Sequence, residues 1–397
     1  MAPAIPVVVA CLLGGLAAPA LATEVALITG RVLDTDGRPL AGAHLTLSGD
    51  GVRPSSAVTN GRGVYRFQAL RPLTTYTVGA SYPGFRDLEY DGFYLEPSRT
   101  RRVDFRLKRP GEREVVVLAS RDPFGYEPLV EAFREAVGVP VRVVDLDREP
   151  DPAARVRQIR AERPNLILGA GLRAARLVRS DVPDIPAILT LIDDPRRYDL
   201  KAENICFLSN NPPAEEVLQR FALILPGARR IGLLFGSGSG SLVARDLRQA
   251  AEHRGLHALL RPCYSRKDLH AALESLRGQV DALLIPYDPI TSSPQALKDL
   301  GRWALRARIP MAAPSTEWVR QGALFSYGAP LASLGKEAAF VAGQILSQSG
   351  HPEDFALRQP ESHVLAVNTT TALALGIEVP PGVAVDETYN GGRRTGP

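Results

Sequence analysis

Two patterns of hydrophobic and polar positions follow one another along this chain of 397 residues. From residue 23 to residue 108, short apolar segments are separated by turn dipeptides such as Asp36-Gly37 and Asn60-Gly61. In Arg102–Leu107, apolar and polar residues alternate strictly, which is typical of a half-buried strand. The pattern predicts about seven short strands in a β-sandwich. The candidate strands are Val25–Leu33, Ala43–Leu47, Val64–Phe67, Tyr76–Ser81 and Arg102–Leu107.

From residue 113 onward, apolar runs of strand length alternate with amphipathic helices. Glu114–Ala119 is a valine-rich strand, and Tyr126–Val137 has apolar residues at helical spacing. Regular alternation of this kind predicts parallel sheets with helices on both faces. Some ten strands exceed one comfortable sheet, so the pattern favours two lobes that bind a ligand by closing over it. We expect a linker at residues 109–112, the α/β region at 113–384 and a disordered tail at 385–397.

One βα unit in this region suggests a binding loop. The strand Arg230–Phe235 leads into Gly236–Ser241, where glycine and serine alternate, and a helix follows. Such a loop lies at the carboxyl end of a parallel strand, where open α/β sheets bind their ligands. Its glycines allow close approach of the backbone, and the hydroxyls of Ser237, Ser239 and Ser241 suit a small polar ligand. A flexible surface loop remains the alternative.

That loop does not fit three well-known motifs. Its glycines lack the G-x-G-x-x-G spacing of dinucleotide sites, and no Gly-Lys-Ser/Thr ending marks a P-loop. A nucleophile elbow needs serine midway between two glycines, and here that position is Gly238. We therefore expect neither an enzyme nor a nucleotide cofactor.

Composition adds little to this picture. A hydrophobic content of 45% and a charged content of 23% are ordinary for a soluble globular protein. The formal net charge is +4, and the basic residues are spread along the chain. The densest group, at Arg155, Arg157, Arg160 and Arg163, has no interleaved aromatic residues, so we expect a solvated helix face and no nucleic-acid partner.

The first 22 residues predict export. They carry no charged side chain, Val7–Leu21 is apolar, and Ala20-Leu21-Ala22 fits a signal-peptidase site. Cys11 follows a lipoprotein-like box, but only ten residues precede it, so lipid anchoring is not expected. Cleavage would leave Cys206 and Cys263, which either pair or stay as buried thiols.

Three sequence segments of the first region resemble a known module. GRVLDTDGRPLAGAHLTL, TNGRGVYRFQAL and TTYTVGASYPGF are similar to the carboxypeptidase regulatory-like (transthyretin-like) domain, over residues 23–108. The resemblance implies a structural or docking module without catalysis, whose partner would be a protein of the cell envelope.

The second region resembles periplasmic substrate-binding proteins of ABC transporters. IPAILTLIDDP, LPGARRIGLLF, DALLIPYDP, IPMAAPSTEWVRQGALFSYG, LGKEAAFVAGQIL and VNTTTALALGIEVP occur in the order found in that family. The resemblance implies a type I binding protein, in which two Rossmann-like lobes, joined by three crossovers, hold an aromatic amino acid or a similar small ligand. It also implies a membrane permease as partner and no cofactor or metal.

Carried over by position, the resemblance places ligand contacts at strand ends. The candidate ligand-binding residues are Ser120, Tyr126, Gly171, Leu172, Asp194, Ser237, Ser239, Ser241, Tyr287, Asp288, Ser315 and Tyr327. Asp194 and Asp288 precede prolines and either cap turns or contact ligand. The three tyrosines either contact ligand or pack against the core. The chain departs from the family at Asn204–Phe207, which lacks a usual Thr-Gly pair, and at Leu172, where threonine is common.

These observations predict an exported solute-binding protein. It would capture a small polar ligand, amino-acid-like or another small carboxylate, and deliver it to an ABC permease. The alternative is a sensor or scaffold of the cell envelope, in which the β-sandwich docks a partner. Trp303 and Trp318 are predicted to be packing residues, and His253 and His257 are not expected to form a metal pair, because Gly255 ends the helix between them.

Overall fold

The computed structural model describes residues 26–120, 125–192, 194–236, 242–288, 290–291, 293–355 and 357–396. The chain divides into two compact units, Met1–Pro110 and Gly111–Pro397. The predicted signal peptide, 1–22, and Cys11 lie outside the described residues, and so do the serines Ser237, Ser239 and Ser241. Within the described part of the chain, no helix is long and apolar enough to cross a membrane.

The first unit is built from two four-stranded sheets, as the alternating pattern predicts. One sheet has the order β4-β1-β7, with β8 also paired to β1, and the other has the order β3-β2-β5-β6. The strands are β1 (Ala26–Leu33), β2 (His44–Gly49), β3 (Val52–Val58), β4 (Val64–Leu70), β5 (Thr75–Ser81), β6 (Leu88–Tyr94), β7 (Thr100–Arg102) and β8 (Phe105–Arg106). Aromatic rings fill the core, and Tyr90 stacks on Phe105 with centroids 4.7 Å apart.

The prediction of one strand over Arg102–Leu107 is wrong in detail. The segment breaks into β7 and β8, although Val103, Phe105 and Leu107 are all buried as the alternation requires. The Asp104 carboxylate accepts the Arg31 N–H at 2.8 Å, so a side chain takes the place of a backbone acceptor in the ladder to β1. The strand β3 was not predicted, because most of its residues are exposed and it carries a proline.

The second unit consists of two α/β lobes. Its elements up to the second crossing are β9 (Val115–Ala119), α1 (Glu127–Ala136), β10 (Val141–Asp145), α2 (Pro152–Ala161), β11 (Leu166–Ala170), α3 (Leu172–Asp181), β12 (Ala187–Thr190), β13 (Ile205–Leu208), α4 (Ala214–Ile224), β14 (Arg230–Gly236), α5 (Leu242–His253), β15 (His257–Cys263), α6 (Leu269–Leu276), β16 (Ala282–Leu284), α7 (Pro294–Ala307), β17 (Met311–Ala313), α8 (Thr316–Arg320) and β18 (Phe325–Gly328). The remaining elements are α9 (Leu331–Leu346), β19 (Leu357–Arg358), β20 (Val364–Asn368), α10 (Thr369–Leu375), β21 (Glu387–Asn390) and β22 (Arg393–Gly396).

The first lobe holds a parallel sheet of order β10-β9-β11-β12-β13-β19. Helices α1 and α9 cover one face through Phe133 and Leu334, and α2 and α3 cover the other through Ile159 and Val178. Burial on both faces explains why these strands read as continuous apolar runs rather than alternating ones.

The second lobe holds a sheet of order β15-β14-β16-β17-β18-β20-β21-β22, parallel from β15 to β18. Phe221 of α4 and Leu247 of α5 pack on one face, and Leu273 of α6 and Leu300 of α7 pack on the other. The chain crosses between lobes at residues 209–213, 329–330 and 359–363. Two lobes joined by three crossings confirm the predicted fold class.

The C-terminal segment differs from the prediction. Residues 385–397 were expected to be a disordered tail, but β21 pairs parallel with β20 and antiparallel with β22. Tyr389 is 1% exposed and packs with Val319 and Ala366. Backbone pairing and one buried ring therefore anchor a strand whose polar composition carries no hydrophobic pattern.

The sequence also predicts helix caps at Asn211, Ser265 and Ser293, and two of these three helix starts differ in the structure. Asn211 does not cap α4, because the helix begins at Ala214 after Pro213. Ser265 was expected to cap α6, which begins at Leu269. The cap predicted at Ser293 is present, since its hydroxyl accepts the Ala296 N–H at 3.4 Å.

Cys206 and Cys263 are both buried and unbonded, and they lie in different lobes. Burial raises the pKa of Cys206 to about 12 and raises that of Cys263 as well. Trp303 and Trp318 pack in the second-lobe core, as predicted.

Candidate functional site

A crevice lies between the lobes, where the carboxyl ends of their strands meet. Two cavities lined by described residues lie in it. We name the first, of about 150 Å³, the Arg196 cavity, and the second, of about 230 Å³, the Asn210 cavity. Each is lined by residues of both lobes, and the cavities share Pro314. The crevice is therefore the place where one small molecule can touch both lobes.

The Arg196 cavity has an ionic wall and an apolar wall. The apolar wall comes from the second lobe and includes Val217, Val243 and Leu247. The ionic wall contains Asp194 and Arg196 of the first lobe and Asp246 of the second. The side chains that line it near the crossovers include Ser209, Asn211, Tyr327 and Gln359.

Arg196 links the two lobes. Its guanidinium donates to Asp194 Oδ2 at 2.9 Å and to Asp246 Oδ2, on α5 of the other lobe, at 2.7 Å. The hydrogen bonds to Asp194 raise the pKa of Arg196 by more than burial lowers it, and the bond to Asp246 raises it further. Arg196 therefore stays charged. Because Arg196 and Asp246 are each nearly half exposed, the contact between them is worth only ~0.2–1 kcal/mol.

We expect Asp246→Asn to shift the lobes toward an open arrangement. Loss of up to ~1 kcal/mol corresponds to a change of up to about fivefold in the ratio of open to closed molecules. Energy transfer between dyes on the two lobes measures this ratio, and salt should open the wild type because it screens the exposed pair. Glu252→Gln is the matched control, since Glu252 lies on the same helix and pairs with Arg248 of its own lobe at 3.4 Å. An equal effect of both variants would rule out Arg196–Asp246 as a link that favours closure.

The Asn210 cavity joins the first crossover to the C-terminal strands. Its first-lobe wall contains Leu191, Asn210 and the segment from Ala329 to Leu334, and its second-lobe wall includes Tyr287 and Ser315. The charged residues that line it are Glu317, Arg320, Glu387 and Arg394. The strands β21 and β22, which were expected to be disordered, therefore form part of the candidate site.

Two residues that line this cavity have a buried polar atom without a hydrogen-bond partner among the described residues. Asn210 is 9% exposed, and its Oδ1 has no hydrogen bond to any described residue. Ser315 precedes α8 at the N-cap position, yet its Oγ is buried, caps nothing and is likewise without a partner in the described part of the chain. A buried polar atom without a hydrogen bond costs ~1–3 kcal/mol, which a bound ligand or water would recover.

The end of β12 is strained beside the same cavity. Leu191 has a φ of +55°, in the left-handed region that favours glycine. Such a conformation in a leucine costs of order 1–3 kcal/mol and is typical of ligand-binding segments. Thr190, just before it, is fully buried, and its hydroxyl is also unpaired within the described residues.

Three predicted residues hold the first lobe together instead of lining either cavity. The Ser120 hydroxyl donates to the Ala170 carbonyl at 3.1 Å and accepts the Ala174 N–H at 3.3 Å. Gly171 has a φ of +92°, and a Cβ there would come within 2.5 Å of Ser120 Oγ. Leu172, the first residue of α3, packs against the core. The local partners of these side chains explain their positions.

Tyr126 and Asp288 also have partners within their own lobes. Tyr126 packs on the first-lobe core, and burial followed by its hydrogen bond with Asp145 raises its pKa. Asp288 is 3% exposed and accepts the N–H groups of Ile290 at 2.8 Å and Thr291 at 3.3 Å. Asp288 therefore caps a turn, as does Asp194, which accepts the Arg196 N–H at 2.9 Å. That either carboxylate contacts a ligand stays a prediction.

Tyr327 lies on the Arg196 cavity and belongs to a cluster at the crossovers. Its hydroxyl donates to Glu216 Oε2 at 2.9 Å, and its ring lies 5.3 Å from that of His363. Burial and then the bond to Glu216 raise the pKa of Tyr327. Burial lowers the pKa of His363, against the opposing charge of Glu216.

The structure thus pairs Tyr287 with Ser315 in one cavity and Asp194 with Tyr327 in the other. Asn210, Arg196 and Asp246 were not predicted. Asn210 lies two residues after the end of β13, so the rule that selected the other strand ends would also have selected it. Asp246 lies in the middle of an amphipathic helix, where no sequence signal marks it. The described residues contain no group of three or more His, Cys, Asp or Glu side chains placed to hold a metal ion.

Known proteins place these features in a family. The model of the carboxypeptidase regulatory-like domain matches residues 27–108, so the first unit is such a domain. The model described as ABC transporter substrate binding protein matches residues 147–389, more than half of the chain. Comparison with curated protein sequences gave no match.

Three solved structures are similar in fold. A conserved domain protein from Vibrio cholerae O1 biovar El Tor is 21% identical, with a TM-score of 0.58 over 70% of this chain and 99% of that one. A substrate-binding protein with adhesive properties from Clostridium difficile, ligand-free and open, is 18% identical, with a TM-score of 0.59 over 70% and 99%. The ABC domain from Streptococcus pneumonia in complex with L-Trp is 19% identical, with a TM-score of 0.58 over 69% and 97%.

These similarities agree with the two lobes and the crevice described above, and the family is one of binding proteins rather than enzymes. The protein is accordingly a solute-binding protein, and its chain belongs to the ABC transporter substrate binding protein family.

Proposed function

We propose that the protein captures a small polar solute, amino-acid-like or another small carboxylate, between its lobes and delivers it to the permease of an ABC transporter. One observation carries the proposal. Asn210 from the first crossover and Ser315 from the second lobe line the same cavity, and each has a buried polar atom without a hydrogen-bond partner among the described residues. A solute that bonds to both would stabilise the closed arrangement of the lobes, because it gains contacts that neither lobe offers alone.

The proposal includes export to the periplasm. The apolar stretch Val7–Leu21, which ends within the signal-peptidase site Ala20-Leu21-Ala22, is the support for it. Sequencing the N-terminus of protein recovered from the periplasm should show a chain that begins at Thr23. A chain that keeps its first 22 residues in the cytoplasm would contradict export and leave the binding test below unaffected.

Thermal-shift and calorimetry screens test the binding function. The mature wild-type chain is tested with amino acids, nucleosides and small carboxylates, and L-tryptophan is included because the streptococcal protein of similar fold was solved with it. A ligand at 100 times its Kd stabilises the folded state by ~2.7 kcal/mol, which predicts a rise in Tm of about 5–10 °C. If nothing in the screen binds, the sensor or scaffold alternative is favoured. If a solute is identified, its uptake by cells should depend on the partner permease.

A further inference from the structure

One face of the first unit carries arginines that solute binding does not use. Along β1 burial alternates, so Ile28 points into the core and Thr29 and Arg31 point outward. Strand register places Arg66 of β4 and Arg102 of β7 on either side of Thr29. The outer face of the sheet β4-β1-β7 therefore presents a row of Arg66, Thr29 and Arg102, with Arg31 two residues further along β1. We name this surface the arginine face.

The arginine face crowds like charges. Neighbouring strands lie ~4.8 Å apart and successive outward residues of one strand ~6.8 Å apart, so the three arginine positions lie within ~10 Å of one another. This spacing is comparable to the Debye length of ~8 Å at physiological salt, so screening removes only part of their repulsion. The four strands of the sheet contain no Asp or Glu. Asp104, between β7 and β8, supplies a carboxylate, which pairs with Arg102 at 3.0 Å.

Two of these arginines serve no contact within the described part of the chain. Arg31 and Arg66 are exposed, and neither side chain has an ion pair or hydrogen bond to a described residue. The recorded bond of Arg31 comes from its backbone N–H, which donates to Asp104. Both guanidinium groups are thus available to a partner, and replacing them removes no contact on which the fold depends.

The outer face of the other sheet has a different charge. Its corresponding row runs across four strands through Ser56, Thr46, Gly79 and Glu89. This row contains one carboxylate and no cation. The β-sandwich therefore has a basic side and a neutral to acidic side, and an anionic surface would orient it with the arginine face inward.

The chemistry of the arginine face indicates phosphate groups in a two-dimensional array. A guanidinium group pairs with a phosphate through two parallel hydrogen bonds. Positions spread over ~10 Å are too far apart for one phosphate to bridge, so the partner must present several side by side. The outward residues at the two ends of β1 are Leu27 and Leu33, both partly exposed. Apolar side chains beside cations suit the headgroup region of a bilayer better than an acidic polypeptide.

From these observations we infer that the arginine face docks the protein on a membrane surface that contains anionic phospholipids. Phosphate oxygens of several headgroups bond to Arg31, Arg66 and Arg102. Docking would hold the chain at the membrane in which the proposed permease lies. The inference goes beyond the proposed function and stands whatever the crevice binds.

Sedimentation with lipid vesicles tests this docking. The mature wild-type chain is mixed with vesicles of phosphatidylcholine alone and with vesicles that also contain phosphatidylglycerol. We expect it to bind the second kind and not the first, and salt should release it because screening weakens attraction to the surface. Equal binding to both kinds of vesicle would overturn a role for the arginines.

The double variant Arg31→Gln, Arg66→Gln should weaken binding to the anionic vesicles by about 25-fold. Each basic side chain close to an anionic leaflet contributes about fivefold in affinity. The matched control is Arg53→Gln with Arg306→Gln, which removes the same net charge. Arg53 on β3 and Arg306 on α7 are also exposed and without an ion pair among the described residues. The control should weaken binding by less than about threefold.

The outcomes identify both the surface and the partner. Equal losses in the two double variants would mean that net charge, and not the arginine face, attracts the protein. Soluble polyglutamate at the same concentration of charge should leave the protein on the vesicles, and its release would make an acidic polypeptide the partner and the membrane inference wrong. Should the double variant not fold, Arg66→Gln alone provides the same comparison, with an expected loss of about fivefold. Solute binding measured by calorimetry should be unchanged in every variant, so failure of docking and failure of the proposed function are distinguishable.

Discussion

Gly335→Ala should destabilise the second unit by about 3 kcal/mol, because α9 lies too close to α1 to admit a methyl group. A Cβ at Gly335 would come within 2.2 Å of the Leu129 carbonyl oxygen and 3.0 Å of Ala132 Cβ. The obstructing oxygen belongs to the backbone, so the two helices must move apart and lose contacts in the first-lobe core. Overpacking of this kind costs ~1–3 kcal/mol, and backbone contact places the expected value at the upper end. Urea unfolding at constant m-value measures it as a lower midpoint.

Gly343→Ala on the same helix is the matched control. Apart from the helix's own backbone, a Cβ at Gly343 would meet no described atom within 4 Å. Alanine loses less conformational freedom on folding than glycine, so this variant should gain ~0.5–1 kcal/mol. If the two variants had effects of the same sign and size, close packing of α9 on α1 would not be what positions the first turn of α9 at the Asn210 cavity.

Much of this fold could be predicted because most of its strands are buried on both faces. Val115–Ala119 and Leu166–Ala170 have no exposed residue, so they appear in the sequence as unbroken apolar runs between amphipathic helices. Hydrophobic burial dictates both patterns, and hydrophobic burial is what periodicity detects. The two-lobed arrangement followed from the number of such runs and from the family resemblance.

Where backbone pairing or a single side chain decides the structure, periodicity fails. The strands β21 and β22 are polar, and what anchors them is the ladder to β20 and the ring of Tyr389. The break between β7 and β8 depends on Asp104, whose carboxylate bonds to Arg31 across 73 residues of sequence. Neither contact can be recognised from the neighbouring sequence, because the two groups that form it are far apart along the chain.

The candidate site was predictable as a region and less so as a set of residues. The rule that ligands bind at the carboxyl ends of parallel strands selected Tyr287 and Ser315, which line the crevice. That they contact a ligand stays a prediction. The same rule selected Ser120 and Asp288, whose polar atoms bond within their own lobes. Strand position tells which loops border the crevice, but local hydrogen-bond partners decide which side chains face it. The role of Ser237, Ser239 and Ser241 stays a prediction, since these serines lie outside the described residues.

A buried ion triad at the opposite end of the first-lobe strands leads to the other large prediction. Arg142 of β10 donates from Nε to Glu114 at 2.9 Å and from Nη2 to Glu162, and these side chains are 11%, 3% and 2% exposed. Burial alone would lower the pKa of Arg142, but the charges and hydrogen bonds of Glu162 and Glu114 outweigh it and raise the pKa. Arg142 therefore stays charged, and its removal would leave Glu114 buried without its cation and Glu162 with the more distant Arg155, whose Nη1 lies 3.9 Å from Glu162 Oε1.

Arg142→Met should accordingly lower the free energy of unfolding by ~3–5 kcal/mol at neutral pH, the usual cost of stranding a buried charge. Arg160→Met is the control, because Arg160 and Asp184 are as close, at 2.7 Å, but are both 42% exposed, and that loss should stay below ~1 kcal/mol.

The triple variant Glu114→Leu, Arg142→Met, Glu162→Leu separates charge from packing. It removes both carboxylates with the cation, and apolar groups of similar volume often replace buried ion triads at no net cost. Glu114 Oε2 and Arg142 Nη1 already lack partners among the described residues, which adds to the cost of keeping the triad. Its stability should therefore return to within ~1–2 kcal/mol of wild type or exceed it. A triple variant as unstable as Arg142→Met would mean that the shape of the arginine, and not the stranded charge, accounts for the loss.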